Sequence, residues 1–168
     1  LGARLGPEIR LQSRSIGRGP QERLLSSVDP LLKNGRIRYE MEGVEEWWLS
    51  EEQRLEQGWT LAEAPEGEGP LLLKVWVEGA EGRGEELWGE EGTRIRVGGL
   101  RAEDASGKEL EVAMLREEGG FSVVVEEEGA RYPIVIDPSY SAANTWDGET
   151  SSSSFGSAAM GVGDVNGD

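Results

Sequence analysis

The sequence predicts an all-β chain, an antiparallel β-sandwich of short strands, and three observations carry that expectation. Its 25 glycines fall at short intervals between apolar runs. Inside those runs apolar and polar residues alternate with period two, as Ile37, Tyr39 and Met41 do against Arg36, Arg38 and Glu40. The connectors, such as Ala105-Ser106-Gly107-Lys108 and Glu117-Glu118-Gly119-Gly120, have the chemistry of tight turns.

Taken in order, residues 1–34 read as a basic segment, with Arg4, Arg10, Arg14 and Arg18 against Glu8 over the first twenty positions. Glu8 to Ile16 carries one amphipathic strand, expected to be separable from the compact core. Arg23 to Leu32 is expected to form a short helix or turn ending at Pro30. The sandwich is expected over 35–138. It begins with a hairpin that reverses at Glu42-Gly43 and returns through Val44 to Leu49. Gln57 to Leu61 follows with Trp59 inward, and then a Pro/Gly/Glu connector over Ala62 to Pro70.

Leu71 to Glu78 has apolar residues on both faces, which predicts a central strand covered on both sides for part of its length, with Trp76 in a core slot. Glu85 to Trp88 and Thr93 to Val97 form the next hairpin, and Leu100 to Asp104, Glu109 to Leu115, Phe121 to Glu126 and Arg131 to Ile136 continue the rhythm. Pro133 places the last of these at an edge or beside a bulge. Residues 139–154 read as a Ser/Thr-rich linker with an extended tail beyond it.

Composition removes whole classes of function. There is no histidine and no cysteine, which excludes Ser-His-Asp triads, thiol nucleophiles and imidazole or thiolate zinc sites. A formal charge of −16 argues against nucleic acid and anionic lipid, and no apolar run has the length of a membrane-spanning helix. The carboxylates that remain, among them Glu42, Glu45, Glu46, Glu51 and Glu52, include neighbours that could pair as in a glycosidase, but acid pairs are abundant here by composition alone. The expectation is a protein that is not an enzyme.

The most specific stretch is Phe155 to Asp168, FGSAAMGVGDVNGD. Asp164, Asn166 and Asp168 alternate with Val165 and Gly167, so three short oxygen-bearing side chains converge from one loop, the beginning of a cage for a hard cation. Phe155-Gly156, Gly161, Gly163 and the Asp164 to Asp168 run resemble the start of an FG-GAP repeat, the blade motif of integrin-α-type β-propellers and many bacterial surface proteins. The resemblance implies Ca²⁺ as cofactor, with Asp164, Asn166 and Asp168 as metal ligands of an incomplete site over 155–168.

Upstream, Leu55 to Leu61, Gly69-Pro70-Leu71, Gly98-Gly99-Leu100 and Gly129 to Pro138 resemble a β-rich domain that precedes such repeats in large secreted bacterial proteins. That resemblance implies secretion and display at the cell surface, and no catalytic residues.

Trp47 and Trp48 are adjacent, so in a strand they point to opposite faces, and one is expected in the core with the other partly exposed. Trp47 or Trp48, Trp88 and Trp146 are candidate contacts for a glycan or a protein partner. The expected function is a non-catalytic, extracellular or cell-surface structural and adhesion module, whose partners are other copies of itself, surface proteins or glycans. The alternatives are a filament subunit joined by β-strands donated from either terminal segment, and a carbohydrate-binding module.

Overall fold

A computed structural model of the chain describes residues 3–5, 9–26, 28–51 and 54–143. These residues form fourteen strands and no helix. The strands are β1 (Ala3–Leu5), β2 (Ile9–Gly17), β3 (Arg23–Leu24), β4 (Leu31–Lys33), β5 (Arg36–Met41), β6 (Val44–Glu51) and β7 (Arg54–Leu61). They continue with β8 (Leu71–Glu78), β9 (Ala80–Arg83), β10 (Glu86–Gly89), β11 (Arg94–Glu103), β12 (Glu109–Glu117), β13 (Gly120–Glu126) and β14 (Ile134–Ala142). All pairings are antiparallel, in the order β1-β2-β8-β13-β12-β11-β14-β7-β6-β5-β4, with β3 on β2, β10 on β11 and β9 on β10.

This continuous sheet folds over at the β11–β12 hairpin. The two strands share only the pairs Ala102↔Leu110 and Glu103↔Glu109. Beyond them β12 runs with β13 and β11 runs with β14, so two layers face each other. Leu11, Leu73 and Val123 from one layer and Trp48, Trp59 and Ile136 from the other lie in a single buried cluster. Burying each such side chain stabilises the fold by about 1.5–3 kcal/mol.

Local chemistry explains the turns. Met41 pairs with Val44 across Glu42-Gly43, and Gly43 takes a φ of 71°, a left-handed conformation that glycine adopts without steric cost. At the fold-over hairpin, Asp104 accepts hydrogen bonds from Ser106 N at 2.8 Å, Ser106 Oγ at 2.6 Å, Lys108 N at 3.1 Å and Arg131 N at 3.0 Å. These donors hold its carboxyl well below the usual carboxylate range.

Several expectations are corrected. The amphipathic N-terminal strand is integral to the core: β2 pairs with β8 along its length, and Ile9, Leu11 and Ile16 are fully buried. The boundary at residue 34 therefore divides no core. The reason is that β8 needs a neighbour on the side away from β13, and β2 supplies both its hydrogen bonds and its apolar face. Arg23 to Leu32 contains no helix; Arg23–Leu24 and Leu31–Lys33 are short edge strands instead.

The sandwich also continues past Pro138, because β14 runs to Ala142 with Tyr140 fully buried. β14 is not an edge, since β11 and β7 flank it. A bulge is present, but it lies in β11, between Gly98 and Arg101 and opposite Pro138, whose ring nitrogen has no hydrogen to donate. The outer face of β8 is open, with Trp76 42% exposed and lying over Gly119, rather than in a core slot.

Candidate functional site

The interior holds a polar cluster built from four strands. Val44, Glu46 and Trp48 occupy inward positions of β6, so Glu46 is buried while Glu45 faces outward and pairs with Arg38 at 2.9 Å. Adjacent carboxylates on opposite faces cannot flank one substrate, which removes Glu45 with Glu46 as an acid pair. Glu46 Oε1 accepts from Trp48 Nε1 at 3.1 Å and from Gln57 Nε2 at 2.8 Å. Gln57 Oε1 accepts the Tyr140 hydroxyl at 2.5 Å, and Ser13 Oγ, from the opposite layer, accepts Trp59 Nε1 at 3.0 Å.

Glu46 Oε2 is buried and has no hydrogen-bond partner among the described residues. Burial pushes the Glu46 carboxyl up to about 6, against the hydrogen bonds from Gln57 and Trp48 that favour its charge. Burial likewise pushes the Tyr140 hydroxyl well up, with the nearby Glu46 adding to it. Sequence reading missed this cluster as a unit. Its one visible signal is the alternation Val44, Glu46, Trp48, which puts an acid on an apolar face.

The tryptophans expected to contact partners are placed differently. Trp48 is in the core, its ring stacked 6.1 Å from that of Tyr140. Trp47 is also buried, correcting the expectation that one of the pair is partly exposed. It lies on the outer face but is covered by Arg36, 4.2 Å from its ring centre, and sits over Gly58, whose missing side chain makes the room. Trp88 is half-buried with Arg94 at 3.7 Å and Arg83 at 4.8 Å from its ring. Trp146 and the calcium-loop residues Asp164, Asn166 and Asp168 lie outside the described residues. Among the described residues no group of three or more acidic, His or Cys side chains is placed to hold a metal ion.

Where the layers part, the sandwich opens. The β12 edge facing away from β13 pairs with β11 only at Glu109 and Leu110, leaving Glu111 to Glu117 without a strand on that side among the described residues. A cleft of about 380 Å³ lies there, lined by Val97, Leu100, Val112, Met114 and Arg116 together with the Gly84 turn. Val112 and Met114 are half-buried because their inward face has no covering strand. Arg116 bridges the opening: its Nε donates to Gly84 O at 3.0 Å, and its guanidinium is 5.7 Å from the Phe121 ring centre. Burial lowers the pKa of that guanidinium, and its Nη1 and Nη2 find no partner among the described residues.

The opposite side of the sandwich is formed by the two ends of the folded sheet, β3 on β2 and β4 on β5. Arg23 Nη2 joins them by donating to Glu42 O. Leu24 is 80% exposed here, Leu31 50% and Leu32 79%. Sequence periodicity gave no sign of these edges, because two-residue and three-residue strands are too short to show it. No family model, curated protein or solved structure matches the chain.

Proposed function

We propose that this chain is a non-catalytic structural and adhesion module, exported or displayed at the cell surface, that meets its partners through strand edges. The observation that carries the reading is the distribution of its free groups. The ionisable cluster of the core is sealed inside, the described tryptophans have their faces taken by arginines or core residues, Trp76 included with Arg14 5.2 Å from its ring centre, and among the described residues unpaired backbone remains along β12 and β4. A sheet edge with exposed apolar residues is a template for another strand.

The FG-GAP resemblance supports the extracellular location and adds a Ca²⁺ loop at Asp164, Asn166 and Asp168, a part of the reading that rests on sequence spacing alone. Sedimentation and light scattering of the chain over rising concentration test the main reading, with concentration-dependent association as the expected result. A monodisperse monomer at the highest attainable concentration overturns it. Calorimetry with Ca²⁺ tests the loop separately, and heat of binding that Asp164→Asn abolishes is the expected outcome. A glycan array tests the carbohydrate alternative, for which Trp76 is the most exposed of the described tryptophans, although Arg14 lies over its ring.

A further inference from the structure

We infer that the two lateral sides of the sandwich are the complementary halves of one head-to-tail contact, in which β4 of one copy adds to the free edge of β12 in the next. The inference rests on the reading of the chain as a module that associates through edges, and names the surfaces. Four of the five exposed large hydrophobic residues lie on these two sides: Leu24, Leu31 and Leu32 on one, Leu115 on the other. The fifth, Trp76, is on an open face.

The register of side chains fits. Leu31 and Leu32 are consecutive in β4, so they project to opposite faces of whatever sheet the strand joins. β12 offers an apolar residue to each of those faces near its free edge: half-buried Val112 and Met114 inward, and Leu115, 53% exposed, outward. An added strand lies about 4.8 Å from β12, close enough for one leucine to fill the mouth of the cleft and the other to cover Leu115.

The charges fit as well. The donor strand itself carries Lys33 and no acid, the exposed acids of that side, Glu22, Asp29, Glu40 and Glu42, lying outside it, and the acceptor strand carries the exposed Glu109, Glu111 and Glu117. Lys33 against these glutamates favours β4 on β12 over β12 on β12, in copies that each have a formal charge of −16. The two surfaces differ and lie on opposite sides of the molecule, so the contact is heterologous and repeats without closing on itself. The chain then builds a linear polymer in which one layer of each copy continues into a layer of the next. Both surfaces belong to the folded sandwich, unlike a strand donated by a terminal segment.

The test uses two variants at exposed positions, Leu32→Glu on the donor strand and Leu115→Glu on the acceptor, so that the two damaged surfaces carry like charge and cannot pair with each other. Sedimentation velocity and negative-stain microscopy read the assembly, and circular dichroism checks that each variant keeps its sheet. Each variant alone has one damaged surface, and its self-association is expected to weaken by about tenfold or more. Mixed in equal amounts, they are expected to form dimers that do not grow, because Leu115→Glu supplies an intact donor and Leu32→Glu an intact acceptor.

Association of either variant at the strength of the unmodified chain, or a mixture that stays monomeric, overturns the surface assignment while leaving edge association itself standing. An unmodified chain that stays monomeric overturns both. If a variant loses its sheet, Leu31→Glu replaces the donor change and Ala113→Glu, also exposed, the acceptor change, with the same outcomes required.

Discussion

Trp47 lies directly across the ladder from Gly58, and a Cβ added at residue 58 would stand 2.0 Å from Trp47 Cζ2. The indole occupies the space that any other residue at 58 would fill, and Arg36 seals it from above. Gly58→Ala therefore forces the ring outward and breaks the Arg36 contact. The expected cost is about 1–3 kcal/mol, as for other overpacked sites. Urea unfolding measures it as a lower midpoint, and the tryptophan emission of the folded state shifts to the red as Trp47 gains water.

Glu46 makes stability depend on pH in an unusual direction for an acid. Its folded pKa is raised from 4.5 to about 6, so between these values the folded state holds a proton that the unfolded chain has released. Stability is then greatest below about pH 4.5 from this group and is lost as pH rises through about 6, by about 2 kcal/mol in all. Chemical denaturation at a series of pH values measures the slope. Glu46→Gln, which keeps an acceptor for Trp48 and Gln57 but does not titrate, is expected to flatten the curve over that window. A slope that persists unchanged in the variant assigns it to another group.

Tyr140 and Gln57 tie β14 to β7 inside the core through the 2.5 Å hydrogen bond between hydroxyl and amide. Tyr140→Phe removes the donor, leaves Gln57 Oε1 short of a partner and keeps the ring stacked on Trp48. A loss of about 1–2 kcal/mol is expected from thermal or urea unfolding. Gln57→Leu in the Tyr140→Phe background is expected to cost less than the two single changes added together, because it removes the group that the first change orphaned.

Asp104 holds the hinge between the two layers, accepting from both Ser106 and Lys108 in its own turn and from the Arg131 amide of a second loop. Asp104→Ala is expected to lower the melting temperature. Amide exchange is expected to quicken first at Lys108 and Arg131, whose protons lose their acceptor. Asp104→Asn keeps one acceptor oxygen and falls between the two.

Much of this architecture is legible in the residues themselves. The hairpin through Glu42-Gly43, the strand at Leu71 to Glu78 and the buried Trp59 follow from period two and turn chemistry, which act over a few residues. What is not legible depends on partners far away in the chain. Ser13, Glu46, Gln57 and Tyr140 meet only because β6, β7 and β14 lie side by side in one layer and β2 faces them from the other, and no spacing in the sequence connects them. Trp47 looks free until Gly58 is placed beside it and Arg36 above it. β2 looks detachable because its polar face and basic charge dominate its composition, although Ile9 and Leu11 alternate inward on it and a bulge between Ser13 and Ser15 brings Ile16 to the same face once β8 is its neighbour.

β14, the last strand described, lies between β7 and β11 instead of on a margin. A pull on the polypeptide beyond Ala142 is therefore directed along a strand bonded on both sides. Its ladders to β7 and β11 bear the force together in shear, and neither can be peeled open one bond at a time as at the rim of a sheet.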